Sequence, residues 1–282
     1  MAWISAKESD VLIGFTVEGF QEWHPAAITT AMRRLGVNFV EYNIRILDAL
    51  EQVLSQLRTI RTAFHLPIIE EDGWDFSCRD RQKQIDATIA LLQQHHHRLG
   101  LTQFIAHPPE PCPPAGDPGA SLDTLFNNVA RLPLPLYFEN VAGQSPESLR
   151  DFLQLARARL GEHYAGMCYD AAHFQISGLD PVEQFLAFRE EIGAVHLSDC
   201  VGREDSHLPF NSGGNLPILP LLRAMHRSGY DGSITLEIRP RPDGDLAAYI
   251  RSYLLLLQHF APARYLGARL RFLAAASLIR KS

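Results

Sequence analysis

The segment 166–173, GMCYDAAH, sets the reading of the whole chain. A short apolar run stops on Asp170, and His173 follows three positions later. LYFE (136–139) has the same form upstream, and AVH (194–196) and ITLE (234–237) repeat it downstream. Apolar runs of this length, without polar alternation, suit strands buried on both faces. Such strands belong to parallel sheets covered by helices.

Working outward, eight candidate strands emerge at 11–15, 38–42, 62–66, 102–106, 134–138, 166–169, 194–197 and 233–238. A stretch able to form a helix follows each. Leu47, Leu50, Leu54 and Leu57 recur at helical spacing, as do Leu122, Leu125, Val129 and Leu132. Ser145-Pro146 and Asp180-Pro181 place a capping oxygen before a proline suited to the first turn. Gly36, Gly100, Gly161 and Gly229 stand where helices should stop. Eight βα units predict an α/β fold, a (β/α)8 TIM barrel over residues 1–262, ahead of a doubly wound open sheet. Residues 263–282 read as a basic, amphipathic C-terminal helical extension that packs on the barrel. The Pro/Gly-rich stretch PPEPCPPAGDPG (108–119) reads as a rigid loop above the fourth strand.

Composition narrows the function classes. A net charge of −6 offers no broad basic face, so a small-molecule substrate is expected ahead of nucleic acid. Cys78, Cys112, Cys168 and Cys200 form no CxxC pair, which predicts free thiols in a reducing cytoplasm. The opening MAWISAKESD lacks the basic-then-apolar form of an export signal. No apolar run approaches the roughly 20 residues of a membrane span.

The chemistry lies where strands end. His65, His107, Glu139, Asp170, His196 and Glu237 each close an apolar run. In a parallel barrel those ends meet on one face, where charged groups repel unless a cation neutralises them. His173 can return to the same mouth, and Asp205 and His207 flank Ser206 in the expected loop after His196. Asp199 is expected to orient a ligand histidine. Glu41 ends the second strand and either lines the mouth or pairs with an arginine. His95, His96 and His97 sit late in a helix, where three consecutive side chains cannot share one face.

In this order the motifs FHLP, AHPP, FENVAG, CYDAAHFQISG, VHLSD, DSHLPF and LEI resemble the xylose isomerase-like TIM barrel superfamily. That grouping takes in AP endonuclease family 2, the endonuclease IV-like enzymes and the sugar phosphate isomerase-epimerases. The resemblance implies two ligand patterns. Sugar isomerases and epimerases hold one metal, here through Glu139, Asp170, His196 and Glu237, with the two glutamates as acid/base pair; Mn²⁺ or Mg²⁺ is then expected. Endonuclease IV-like phosphodiesterases hold three zinc ions. Here His65, His107 and Glu139 would serve one, Glu139, Asp170, His196 and Glu237 a second, and His173, Asp205 and His207 a third. Glu139, Glu237 and His173 are the expected catalytic groups.

Charge favours the hydrolase at this stage. One divalent ion against Glu139, Asp170 and Glu237 leaves one net negative charge, which suits a neutral sugar. Three ions against four carboxylates (with Asp205) and a hydroxide leave one positive charge, which attracts a phosphodiester. Arg203, Arg239 and Arg241 are candidate phosphate clamps. The main expectation is therefore a zinc-dependent phosphodiester hydrolase acting on a nucleotide-containing small molecule. A one-metal isomerase or epimerase is the alternative, and a barrel that binds a ligand without turnover is the third.

Overall fold

The computed structural model describes residues 11–17, 23–57, 60–109, 118–239 and 246–279. All eight expected runs form strands: β1 (Leu12–Thr16), β2 (Phe39–Tyr42), β3 (Arg61–His65), β4 (Leu101–Ala106), β5 (Leu136–Glu139), β6 (Tyr164–Asp170), β7 (Ile192–Leu197) and, last in the chain, β10 (Ser233–Leu236). They pair in parallel and close in the order β1-β10-β7-β6-β5-β4-β3-β2, which excludes the open sheet. Two further strands, β8 (Asp199–Val201) and β9 (Glu204–Leu208), form a separate antiparallel hairpin above β7. The expected loop carrying Asp205 and His207 is thus a strand. A Gly202-Arg203 turn brings Val201 opposite Glu204, with Gly202 at φ 62 where a side chain would be strained.

Helices α1 (Pro25–Leu35), α2 (Leu50–Leu57), α3 (Ile69–Asp72), α4 (Gln82–Leu99) and α5 (Pro118–Val129) lie in the first half of the chain. Then come α6 (Pro146–Leu160), α7 (Ala171–Ile176), α8 (Pro181–Phe188), α9 (Ile218–Arg227), α10 (Leu246–Phe260) and α11 (Pro262–Ile279). Their ends follow the sequence. Ser145 accepts from the Ser148 amide at the start of α6, and Asp180 from the Val182 and Glu183 amides at the start of α8. Gly36 and Gly100 close α1 and α4 in left-handed conformation. Of the expected 108–119 loop, residues 110–117 and Cys112 lie outside the described residues, and Pro118 already begins α5.

Strand side chains facing the helices, such as Ile13, Val40, Phe64, Phe104 and Phe138, are buried in one continuous apolar layer. Each contributes roughly 1.5–3 kcal/mol by leaving water. Gln103 on β4 donates to the Ser233 hydroxyl on β10 at 2.8 Å, a bond across the barrel interior. Arg264 ties α11 to the starts of β1 and β2 by bonds to the Val11 carbonyl and the Asn38 side chain. Among the described residues, no helix is long and apolar enough to cross a membrane. Cys78, Cys168 and Cys200 are buried.

Candidate metal centre

Parallel register delivers the donors to one rim. Asp170 lies abreast of His196, and His196 abreast of Thr235, so Glu237 stands just past the same level. Glu139 and His65 end β5 and β3, and His107 follows β4 by one residue. Their side chains converge. The Glu139 Oε2 atom lies 3.2 Å from His65 Nε2, 3.6 Å from His107 Nε2 and 3.0 Å from His196 Nδ1. Glu237 Oε2 approaches His196 Nδ1 at 3.2 Å. Glu139, Asp170, His196 and Glu237 offer ligand atoms that all lie within 4.8 Å of one another, as do His65, His107 and Glu139. A third such group, Glu139, Cys168 and His196, brings in a thiol that sequence reasoning had set aside.

An outer trio stands beside this inner set. His173 Nε2 and His207 Nε2 both face Asp205 Oδ2, at 3.3 and 3.1 Å. Asp205 and His207 project from one face of β9 because strand side chains alternate. His207 holds φ 43, an unusual backbone for a residue with a β-carbon. The rings are locked from behind. His173 Nδ1 lies 2.7 Å from the Asn140 carbonyl, His207 Nδ1 3.0 Å from the Glu237 carbonyl, and His65 Nδ1 2.8 Å from the Leu66 carbonyl. A carbonyl only accepts, so each Nδ1 carries its proton and each Nε2 faces a carboxylate. Metal-binding histidines are commonly oriented in this way.

Asn140 organises the rim, a role the sequence reading missed although the residue follows Glu139 directly. Its side chain donates to the Asp170 carbonyl and accepts from the Asp170 amide, while Asp170 in turn accepts from the His173 amide. Asp199 does not orient a histidine. It accepts from the Cys200, Asn211 and Leu216 amides and so ties down the long return loop after β9. Gly214 is required there, since a β-carbon would come within 2.1 Å of the Asp199 carboxylate. Glu41 pairs with no arginine at its buried end: its Oε2 takes His196 Nε2 at 3.1 Å and the Thr235 hydroxyl at 3.2 Å. Arg239 forms an ion pair with Glu71, Arg203 is exposed at the hairpin turn, and Arg241 lies outside the described residues. His95 is buried within α4, and the His96 and His97 rings tilt against each other in its last turn, which leads into the start of β4 and not to the rim where the donors converge.

The electrostatics are those of a site built around positive charge. Burial works to raise the Glu139 carboxyl, but the surrounding His196, His107 and His65 hold it well below its usual range. Burial and the neighbouring carboxylates push Asp170 up to about 7. Burial opposes protonation of His65 and His207, yet Glu139 raises the first to about 10 and Asp205 the second to about 9. Asp205 is driven low by the two histidines against its burial.

The inner set passes a direct test for a cation. His196 Nδ1 and Glu237 Oε2 are buried with no hydrogen-bond partner. Burial opposes a charge on this ring, but Cys168, Glu139, Glu41 and Glu237 raise it well above its usual range. Without an ion, the charge between the two carboxylate oxygens is therefore the ring's own Nδ1 proton. Losing that proton, with Nε2 still bonded to Glu41, turns a lone pair toward them. A divalent ion among them would satisfy all three; carboxylate oxygens with one imidazole suit Mn²⁺, Mg²⁺ or Zn²⁺.

The comparisons agree with this architecture. A family model described as xylose isomerase-like TIM barrel matches residues 29–256. Uncharacterized protein MJ1311 of Methanocaldococcus jannaschii is 31% identical over 104 residues, covering 36% of this chain and only 33% of that relative's length. Among solved structures, a 3-keto-D-glucoside 4-epimerase from E. coli matches with TM-score 0.63 and 16% identity over 88% of this chain and 99% of the other. A D-psicose 3-epimerase matches with TM-score 0.62 and 12% identity, over 92% and 99%. An AP endonuclease, family 2, from Brucella melitensis matches with TM-score 0.61 and 14% identity, over 81% and 93%. At such identities the structures speak for the fold. The closed parallel barrel, its ring of rim donors and the match over most of the chain place this protein in the xylose isomerase-like TIM barrel family.

Proposed function

We propose that the chain is a one-metal sugar or sugar-phosphate isomerase or epimerase, the alternative rather than the main expectation drawn from sequence. One observation carries it: Glu139 and Glu237 approach the same unpartnered His196 Nδ1, at 3.0 and 3.2 Å, with Asp170 completing the set. Glu139, Asp170, His196 and Glu237 would hold the ion. When bound, it polarises the oxygens of a ketose or aldose and so acidifies the hydrogen on the adjacent carbon. Glu237, whose side chain is 13% exposed at the mouth, would take that proton and in isomerisation return it to the neighbouring carbon. In epimerisation Glu139, ionised at rest, would first take the enediol hydroxyl proton and then deliver it to the opposite face. His173 faces the mouth from α7 and binds a substrate hydroxyl. Matches to two sugar epimerases support the substrate class.

The charge argument for the hydrolase weakens once Glu41 is included. It brings a fifth carboxylate into the mouth, so three divalent ions and a hydroxide no longer leave net positive charge. Arg239, a candidate phosphate clamp, is engaged by Glu71.

A second reading, the three-metal phosphodiester hydrolase, is favoured by the outer trio. His173 and His207 keep their Nδ1 protons on backbone carbonyls and direct both Nε2 atoms at Asp205. On the isomerase reading, the same trio is two imidazolium rings sharing one carboxylate. Elemental analysis of protein purified without added metal decides between them. About one ion per chain, with epimerisation of ketoses, supports the isomerase. About three zinc ions, with cleavage of a phosphodiester and no effect on sugars, overturns it.

A further inference from the structure

His196 is held from behind by a residue outside the ligand set. Glu41 sits on β2 and is 1% exposed. Strand β2 is separated from β10 by β1 and from β7 by β1 and β10, so the Glu41 side chain crosses the barrel interior to reach His196 on β7. Its backbone is fixed by the Val17 amide, which donates to the Glu41 carbonyl at 2.9 Å. Its Oε2 atom collects two donors that the register sets abreast, His196 Nε2 at 3.1 Å and the Thr235 hydroxyl at 3.2 Å.

We propose that Glu41 is a positioning residue that sets the tautomer of His196, so that Nδ1 rather than Nε2 is offered to the cation between Glu139 and Glu237. The inference deepens the metal-dependent reading above and rests on it. A carboxylate can only accept. It therefore keeps the imidazole proton on Nε2 and denies the ring its other neutral tautomer, in which an Nδ1 proton would point at Glu139 and Glu237. That second tautomer would satisfy the two glutamates without any cation and would block the centre. A glutamine at position 41 could offer its amide N–H to Nε2 and so permit the blocking form. The negative charge of Glu41 also makes the imidazole a stronger donor. Thr235 orients the Glu41 oxygen and contributes less.

The test compares wild type, Glu41→Gln, Glu41→Asp and Thr235→Val by competition with a chromophoric chelator for Zn²⁺ and Mn²⁺. Glu41→Gln should weaken the inner-site ion by about 10–100-fold, as loss of an outer partner to a ligand histidine does. Glu41→Asp should recover part of the loss, and Thr235→Val should lose less than about fivefold. Independently, ¹¹³Cd-loaded, ¹⁵N-labelled wild type should show cadmium coupled to His196 Nδ1 and a proton on Nε2. This spectrum needs no variant and decides the matter if Glu41→Gln fails to fold. Coupling to Nε2, or Glu41→Gln binding within twofold of wild type, overturns the role of Glu41 while leaving the metal centre standing. A wild-type protein that binds neither ion overturns both.

Discussion

The inner and outer donor groups occupy one mouth but are built differently. Glu139, Asp170 and His196 lie on barrel strands, and their spacing is the register of the barrel itself. To move one is to slip a strand whose helix-facing side chains are buried. Asp205 and His207 ride on a hairpin that pairs only with itself, and His173 on a helix of six residues. Their mutual distances depend on the Asn140 bonds, a histidine at φ 43 and the Asp199 anchor. The difference separates what the fold imposes from what has been added to it, and it bears directly on how many ions the mouth could hold.

The strongest way to break the comparison is Glu139→Gln, since Glu139 belongs to every tight donor group. Bound metal after purification should fall by more than the roughly 100-fold upper limit for losing an outer partner. Retention of wild-type metal content would show that the inner set does not share a cation.

His207→Ala removes a ring of the outer trio and reaches the inner set only through the Glu237 backbone carbonyl. Isomerase or epimerase turnover should drop by less than about fivefold, roughly 1 kcal/mol in the barrier. Abolished activity would move the outer trio into the reaction and restore the hydrolase.

pH sharpens the contrast further. Burial opposes the charge on His65 and His207, but their carboxylate partners raise them to about 10 and about 9. In the metal-free protein these pairs contribute stability that is fully present below about pH 6.5. It is lost as pH climbs through about 9 and then about 10. A divalent ion must displace the same kind of proton, so affinity rises with pH. Between pH 7 and 9 its logarithm should climb by about one per pH unit if His196 alone gives up a proton. A slope near three would mean that His173 and His207 are ligands too. Isothermal titration in buffers of different ionisation enthalpy counts the protons directly.

The smallest effect at the inner site itself is expected from Gly214→Ala, where the new β-carbon meets the Asp199 carboxylate. Denaturant midpoints should report a loss of about 1–3 kcal/mol, with inner-site metal affinity unchanged. Coupled loss of both would mean that the return loop and the inner site are one unit.

The barrel was legible because its signals are local. Eight apolar runs, the Ser145 and Asp180 caps and the stop glycines each announce themselves within a few residues. The inner donors were legible for the same reason, since each ends a run. The hairpin was not, because VGREDSHL lacks apolar alternation and its only cue is the Gly202 turn. Glu41 could be placed at the mouth but not paired, because its partner His196 is 155 residues away, with two strands between them around the wall. Asp199 misled because its position beside His196 suggested a ligand's neighbour, whereas its oxygens turn to the backbone of a later loop.

The hairpin's independence has an evolutionary side. Since β8 and β9 join no ladder of the eight-stranded wall and reach the segment after β10 through His207, that ribbon can be lengthened, trimmed or rewritten beyond His207 at little cost to folding. A lineage could thereby trade one reaction for another above an unaltered floor, and differences among relatives should concentrate in this one insert.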